Sequence, residues 1–148
     1  METNQIINTL EVIIESLKQT KSVINYKALN VGDVLPDGSI VVYKEKAELL
    51  IAAPKETEVR CQWSEDFAPA FDQLSRHGFN SVEWFIPNVG QLCLAYLHNK
   101  NAFSAAGYWS STEASSTLSC GVSFFDGSQS AVSKTNTYCV RAFRRVIL

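Results

Sequence analysis

The chain predicts an α+β fold. Three observations predict it: a helical apolar repeat near the N-terminus, short strands punctuated by turn residues from Val31 onward, and a final third that is nearly uncharged and dense in Ser and Thr. At 148 residues, with 46% hydrophobic side chains, the chain suits one domain with a short appendage and has enough apolar surface to fill a core.

From Asn4 to about Tyr26 the residues Ile6, Leu10, Ile13, Leu17 and Ile24 recur at steps of four, three, four and seven among polar neighbours, which predicts a helix. Ile7 and Ile14 add a second apolar edge. A stripe that wide suits packing against copies of itself or folding back onto the domain, and residues 1–28 are read as a helical segment with an oligomerising role in the first case. Residues 31–148 form the domain proper. Within it, Asp37-Gly38 separates Val34-Leu35 from Ile40–Tyr43, and Lys44–Lys46 separates that strand from Leu49–Ala52, predicting a hairpin or small meander. Trp63, Phe67, Phe71 and Leu74 then recur at steps of four, four and three behind a Ser64 cap, with Gly78 as the stop. A second helix begins at Asn88, after Pro87, and runs through Leu92 and Tyr96.

From Phe103 to Val140 the only charged residues are Glu113, Asp126 and Lys134, and a strand is predicted from Tyr138 to Val146. Asp126-Gly127 is a two-residue hairpin signal. With that turn, Phe125 pairs with Ser128, Ser123 with Ser130 and Gly121 with Val132. These six side chains then share an outward face, while Val122 and Phe124 point to the core. A face of small hydroxylated residues with one aromatic is either an ordinary polar sheet surface or a recognition surface of the kind found in antibody loops.

Charge and motif exclude more than they suggest. With 13 basic and 15 acidic residues the net charge is -2, which offers no electrostatic footprint for nucleic acid or anionic membrane. No apolar run approaches the roughly 20 residues of a membrane span, and no signal-peptide order is present at the N-terminus. Cys61, Cys93, Cys120 and Cys139 lack CxxC spacing and read as free buried thiols, with a Cys120–Cys139 pair across neighbouring strands as the alternative. His77 and His98 sit in no catalytic motif, and there is no GxSxG elbow, HExxH pair, phosphate loop or EF-hand series. Asp33, Asp37, Glu65, Asp66 and Glu83 read as solvated charge, and Arg141, Arg144 and Arg145 as loop braces. The chain is accordingly expected to be no enzyme and to carry no cofactor and no metal.

An ordered series of motifs carries a resemblance: Trp84–Pro87 (WFIP) with Gln91-Leu92, Tyr108–Thr112 (YWSST), Val122–Gly127 (VSFFDG) and Cys139–Arg144 (CVRAFR). It resembles a bacterial and phage family of C-type-lectin-fold domains over about residues 31–148, with Phe85 standing where that family has arginine and Gln91 where it has glutamate. Residues 113–143 are further similar to the variable proteins of diversity-generating retroelements, whose template is asparagine-rich in this region. The family's fixed letters reappear here as Trp109, Ser110, Ser111, Thr112, Glu113, Val122, Phe124, Gly127, Gln129, Lys134, Val140, Arg141, Ala142 and Arg144. The asparagine slots hold Leu118, Gly121, Ser123, Phe125, Asp126, Ser128, Ser130, Ala131, Val132, Ser133, Thr135 and Tyr138. Randomising both adenines of an asparagine codon yields fifteen residue types and never Lys, Glu, Gln, Met or Trp. Every slot residue is of a permitted type, and the forbidden types Glu113, Gln129 and Lys134 fall on fixed letters.

The resemblance implies a C-type-lectin-like fold with an N-terminal helix. It also implies a hypervariable surface that binds a protein or glycan receptor on a cell, through Leu118, Gly121, Ser123, Phe125, Asp126, Ser128, Ser130, Val132, Thr135 and Tyr138. A phage tail-fibre tip or a surface-display protein, assembled as a homotrimer through the N-terminal helix, is the expected setting. The expected location is then the virion or the cell surface by a route other than a signal peptide, and otherwise the cytoplasm. Two alternatives remain: a structural module of a virion or surface assembly, and an enzyme of the formylglycine-generating type, for which only Cys120 and Cys139 would serve.

Overall fold

The computed structural model describes residues 5–13 and 23–148. Residues 5–13 are helical (α1), and the expected continuation through Leu17 lies outside the described residues. From Val23 to Asn25 the chain is not helical, and Tyr26–Ala28 make a single 3-10 turn. The expected helix limit near Tyr26 is therefore corrected. Ile24 leaves the helical stripe because it lies, with Tyr26 and Leu29, partly buried against the domain core.

The remaining elements are β1 (Ile40–Lys44), β2 (Glu48–Ala52), β3 (Val59–Gln62), α2 (Ala68–Arg76), α3 (Val89–Asn99), β4 (Gly107–Glu113), β5 (Leu118–Ser123), β6 (Gln129–Ser133), β7 (Thr137–Val140) and β8 (Phe143–Ile147). They make a mixed α+β fold with a three-stranded sheet in the order β1-β2-β8 and a five-stranded sheet in the order β3-β7-β4-β5-β6. The early meander is present. Val34 bridges Ile40 across a turn in which Gly38 takes φ 88, and β1 pairs antiparallel with β2.

Helix α2 starts three residues later than a Ser64 cap requires. Pro69 gives the reason: a helix opening at Glu65 would place proline beyond the first turn, where its missing N–H breaks the backbone ladder. Phe67 instead takes a left-handed φ of 46, and Asp66 rather than Ser64 accepts the Ala68 N–H, at 3.2 Å. The stop is as expected. Gly78 at φ 82 donates to Ser75 O, Phe79 donates to Leu74 O, and the two apolar side chains meet in the core, closing a Schellman motif. Helix α3 opens on a reciprocal box in which Asn88 Oδ1 accepts Gln91 N–H at 2.8 Å and Gln91 Oε1 accepts Asn88 N–H at 2.9 Å.

The single strand expected from Tyr138 to Val146 is two strands in different sheets. Arg141-Ala142 carry the chain across, and the buried Arg141 guanidinium donates to Ala53 O and Ala102 O, both at 2.6 Å, while lying over the Phe103 ring. Burial lowers its pKa, with Glu58 acting in the opposite sense. Alternation along β4 and β7 feeds two apolar clusters. Trp109 and Val140 join Leu49, Ile51, Phe67, Leu74 and Trp84 in one, and Tyr108 and Cys139 join Val122, Phe124, Leu92, Phe103 and Phe143 in the other.

Candidate functional site

Most of the sequence-predicted binding residues lie on the β5–β6 hairpin and the turn that follows β6. The hairpin differs from expectation in its turn. Observed pairs are Leu118↔Ser133, Ser119↔Val132, Gly121↔Ser130 and Val122↔Gln129, with Ser123 N–H donating to Ser128 O at 2.9 Å. Phe124, Phe125, Asp126 and Gly127 form a four-residue loop. A two-residue type I′ turn needs positive φ at both central residues, and only Gly127, at φ 81, has it. Two forces favour the longer loop. Phe124 is 4% exposed, with its ring 4.5 Å from Phe103 and 4.7 Å from Tyr108, and the Asp126 carboxylate accepts both Ser128 N–H (3.0 Å) and Ser128 Oγ–H (2.7 Å). Those bonds hold the Asp126 carboxyl below the usual carboxylate range.

The expected pairs are thus displaced by two residues. An even displacement keeps each strand's faces, so Gly121, Ser123, Ser128, Ser130 and Val132 still share one side and Val122 and Phe124 still point to the core. Phe125 does not pair with Ser128. It stands at the loop tip, 79% exposed.

Leu118, Phe125, Asp126, Ser128, Ser130, Ala131 and Thr135 are exposed, and Ser123, Val132, Ser133 and Tyr138 are half-buried. Gly121 is the correction: it is buried, because a Cβ there would meet Tyr108 O at 3.2 Å and the Tyr138 ring at 3.5 Å. Val132 packs partly against the core rather than projecting freely. Tyr138 lies 4.8 Å from the Trp109 ring and covers Gly107 and Gly121. Its ring therefore roofs this end of the sheet.

The apolar fixed letters behave in the opposite way, while Ser111, Glu113 and Gln129 are exposed. Trp109, Ser110, Val122, Phe124, Val140, Arg141 and Ala142 are buried, and the Trp109 indole N–H donates to Cys61 O at 3.0 Å. Ser110 Oγ donates to Cys120 O and Thr112 Oγ1 accepts from Val89 N–H, tying β4 to β5 and to the start of α3. The letters that asparagine-codon randomisation never yields make structural contacts. Lys134 Nζ meets Glu113 Oε2 at 2.7 Å and Ser116 O at 3.0 Å, and sits 4.5 Å over the Trp63 ring. Burial raises the Cys93 thiol pKa, and the Gln129 side chain acts in the opposite sense.

Trp63 is the residue that periodicity hid. Its helical spacing to Phe67 placed it on α2, yet it precedes that helix, with its backbone N–H on Lys134 O and its indole N–H on Ser110 O. It props the rim of the hairpin surface from beneath Lys134. A separate polar groove is lined by Glu83, Phe85, Asn88, Gln91, Ser111 and Arg145 and contains no slot residue.

Cys120 and Cys139 do not pair. All four cysteines are free, and β4 lies between the strands that carry these two. Among the described residues no three His, Cys, Asp or Glu side chains cluster so as to hold a metal ion, and no helix is long and apolar enough to cross a membrane. No family model and no curated protein matches the chain.

Proposed function

We propose that this protein is a ligand-binding module of C-type-lectin-like fold whose β5–β6 surface is diversified by a retroelement to recognise a receptor on a cell, with no catalytic step. One observation carries the reading: of the slot residues only Gly121 is buried, whereas the apolar fixed letters all lie in the core. The slot residues Phe125, Asp126, Ser128, Ser130, Ala131 and Thr135 are exposed, whereas Trp109, Val122, Phe124, Val140 and Arg141 are buried. A surface built this way tolerates change, since exposed substitutions away from special features stay within about 0.5 kcal/mol of neutral. Phe125 supplies the apolar anchor that such interfaces need.

The α1 stripe supports a second part of the same reading, the assembly of residues 31–148 through residues 1–28. Ile6, Leu10 and Ile13 are 60%, 52% and 49% exposed. An isolated helix of this length is marginal in water, so burial against copies of itself, most simply as a trimer, supplies what the domain does not. Multiple copies would raise weak single-site contacts to useful avidity on a virion or cell surface.

The experiment is adsorption of labelled protein to a panel of intact bacterial cells. Wild type is compared with a variant carrying asparagine at Ser123, Phe125, Ser128 and Ser130. The reading expects equal thermal melts with binding lost or redirected. Unchanged binding by the variant contradicts it.

A further inference from the structure

The backbone of β6 is the last in the five-stranded sheet, and its hydrogen-bonding phase is fixed at both ends. Ser123 N–H donates to Ser128 O, and Lys134 N–H donates to Thr117 O. In an antiparallel ladder the bonded pairs alternate, so Ser128, Ser130 and Val132 turn their backbone toward β5, while Gln129 and Ala131 turn both N–H and C=O away from it. Gln129, Ser130 and Ala131 are exposed.

Edges of this kind are ordinarily blunted by proline, lysine, a bulge or a covering loop, because a row of unpaired amides templates another strand. The β6 sequence, QSAVS, has none of those residues, and its register to β5 runs without a shift, whereas the β1–β2 and β4–β5 pairings both carry one. Apart from Gln129 the β6 side chains are short or β-branched and none is charged, and the row's donors and acceptors match the repeat of an extended polypeptide.

We infer that the β6 edge is a strand-addition site, and that the partner is an extended peptide segment of a protein receptor. The inference rests on the binding-surface reading above and narrows it. Main-chain groups at Gln129 and Ala131 are the same whichever residues occupy the slots, so they give a constant hydrogen-bonding rail. Ser128, Ser130 and Val132 on one face, with Phe125 at the end of the hairpin, then read the side chains of the added strand. Diversification changes which sequence is accepted without changing how it is held. Self-pairing of two copies through this edge is the competing occupancy, distinguished by its dependence on protein concentration.

The probe is a linear peptide selected on the full-length protein from a random display library, followed by amide hydrogen exchange with and without the peptide at saturation. Expected are enrichment of binding peptides, slowing of the Gln129 and Ala131 amides by about tenfold or more, and no change at the already bonded Ser130 and Val132 amides. Ala131→Pro removes an outward N–H and no inward bond, so it is expected to weaken the peptide by about tenfold with an unaltered melt. Failure to enrich any peptide overturns the inference. So does a bound peptide that leaves Gln129 and Ala131 exchange unchanged. In that case loss of its binding in Phe125→Ala would keep the binding-surface reading and reject only the edge. Slowing of the same amides with protein concentration and no peptide would assign the edge to a second copy and also overturn the proposal.

Discussion

Replacing each of two adjacent phenylalanines separates the scaffold from the surface it presents. Phe124 is 4% exposed and its ring contacts Phe103, Tyr108 and Tyr96 at centroid distances of 4.5, 4.7 and 5.6 Å. Truncating such a residue to alanine costs about 3–5 kcal/mol, a transfer loss plus the cavity left among the three rings. A domain of this size shifts by roughly 3–5 °C per kcal/mol, so Phe124→Ala is expected to lower Tm by about 10–20 °C. Phe125, 79% exposed, gives up almost no buried area, and Phe125→Ala should stay within about 0.5 kcal/mol of wild type. Circular dichroism melts on the two variants make the comparison, with the near-ultraviolet signal reporting on the aromatic cluster. A larger loss at Phe125 than at Phe124 would refute the hairpin register and the surface built on it.

Four further outcomes follow from the same geometry. Trp109→Ala should cost about 3–5 kcal/mol in a urea melt, because it empties a fully buried site and leaves Cys61 O without its indole donor. Gly127→Ala should destabilise by roughly 1–2 kcal/mol for the left-handed backbone alone, and by more because its Cβ would fall 2.4 Å from Tyr96 Cε1; a neutral melt would contradict the four-residue loop. Asp126 has a depressed folded pKa, so its contribution to the turn is present above the ordinary carboxylate value of about 4 and fades as pH falls through the lower folded value; the Ser128 amide shift followed by NMR should report that protonation. A chain beginning at Val23, which keeps Ile24 and Tyr26 on the core, should sediment as a monomer while the full chain associates.

What could be read from the sequence was decided by how local the determining force was. Asn88 and Gln91 cap α3 across three residues, and Gly78 closes α2 within one turn, so sequence and structure agree there. Val122 and Phe124 follow strand period into the core for the same reason. The turn between Ser123 and Ser128 depended on whether Phe124 gains more by burying among Phe103, Tyr108 and Tyr96 than by continuing the strand, and those partners are far away in sequence. Gly121 is buried by Tyr138 from another strand, and Trp63 is claimed by Ser110 and Lys134 rather than by α2. The break at Arg141-Ala142 was invisible because an apolar run does not say which sheet its halves join. Strand parity was legible, since the two-residue displacement preserved it and Ser123, Ser128 and Ser130 keep the shared face expected of them, whereas the burial of Gly121 was not.

The proposed diversification of the exposed hairpin residues over constant supports is decided by sequencing the DNA that flanks the gene. The prediction is a near-copy of the segment encoding residues 109–144 beside a reverse-transcriptase gene. In that copy asparagine codons ending in a pyrimidine should stand at Leu118, Ser123, Phe125, Asp126, Ser128 and Ser130, with unchanged codons at Trp109, Glu113, Val122, Phe124, Gln129 and Lys134. A flank with no such copy, or a copy whose adenine differences fall on the codons of Trp109, Val122 and Phe124, would contradict it.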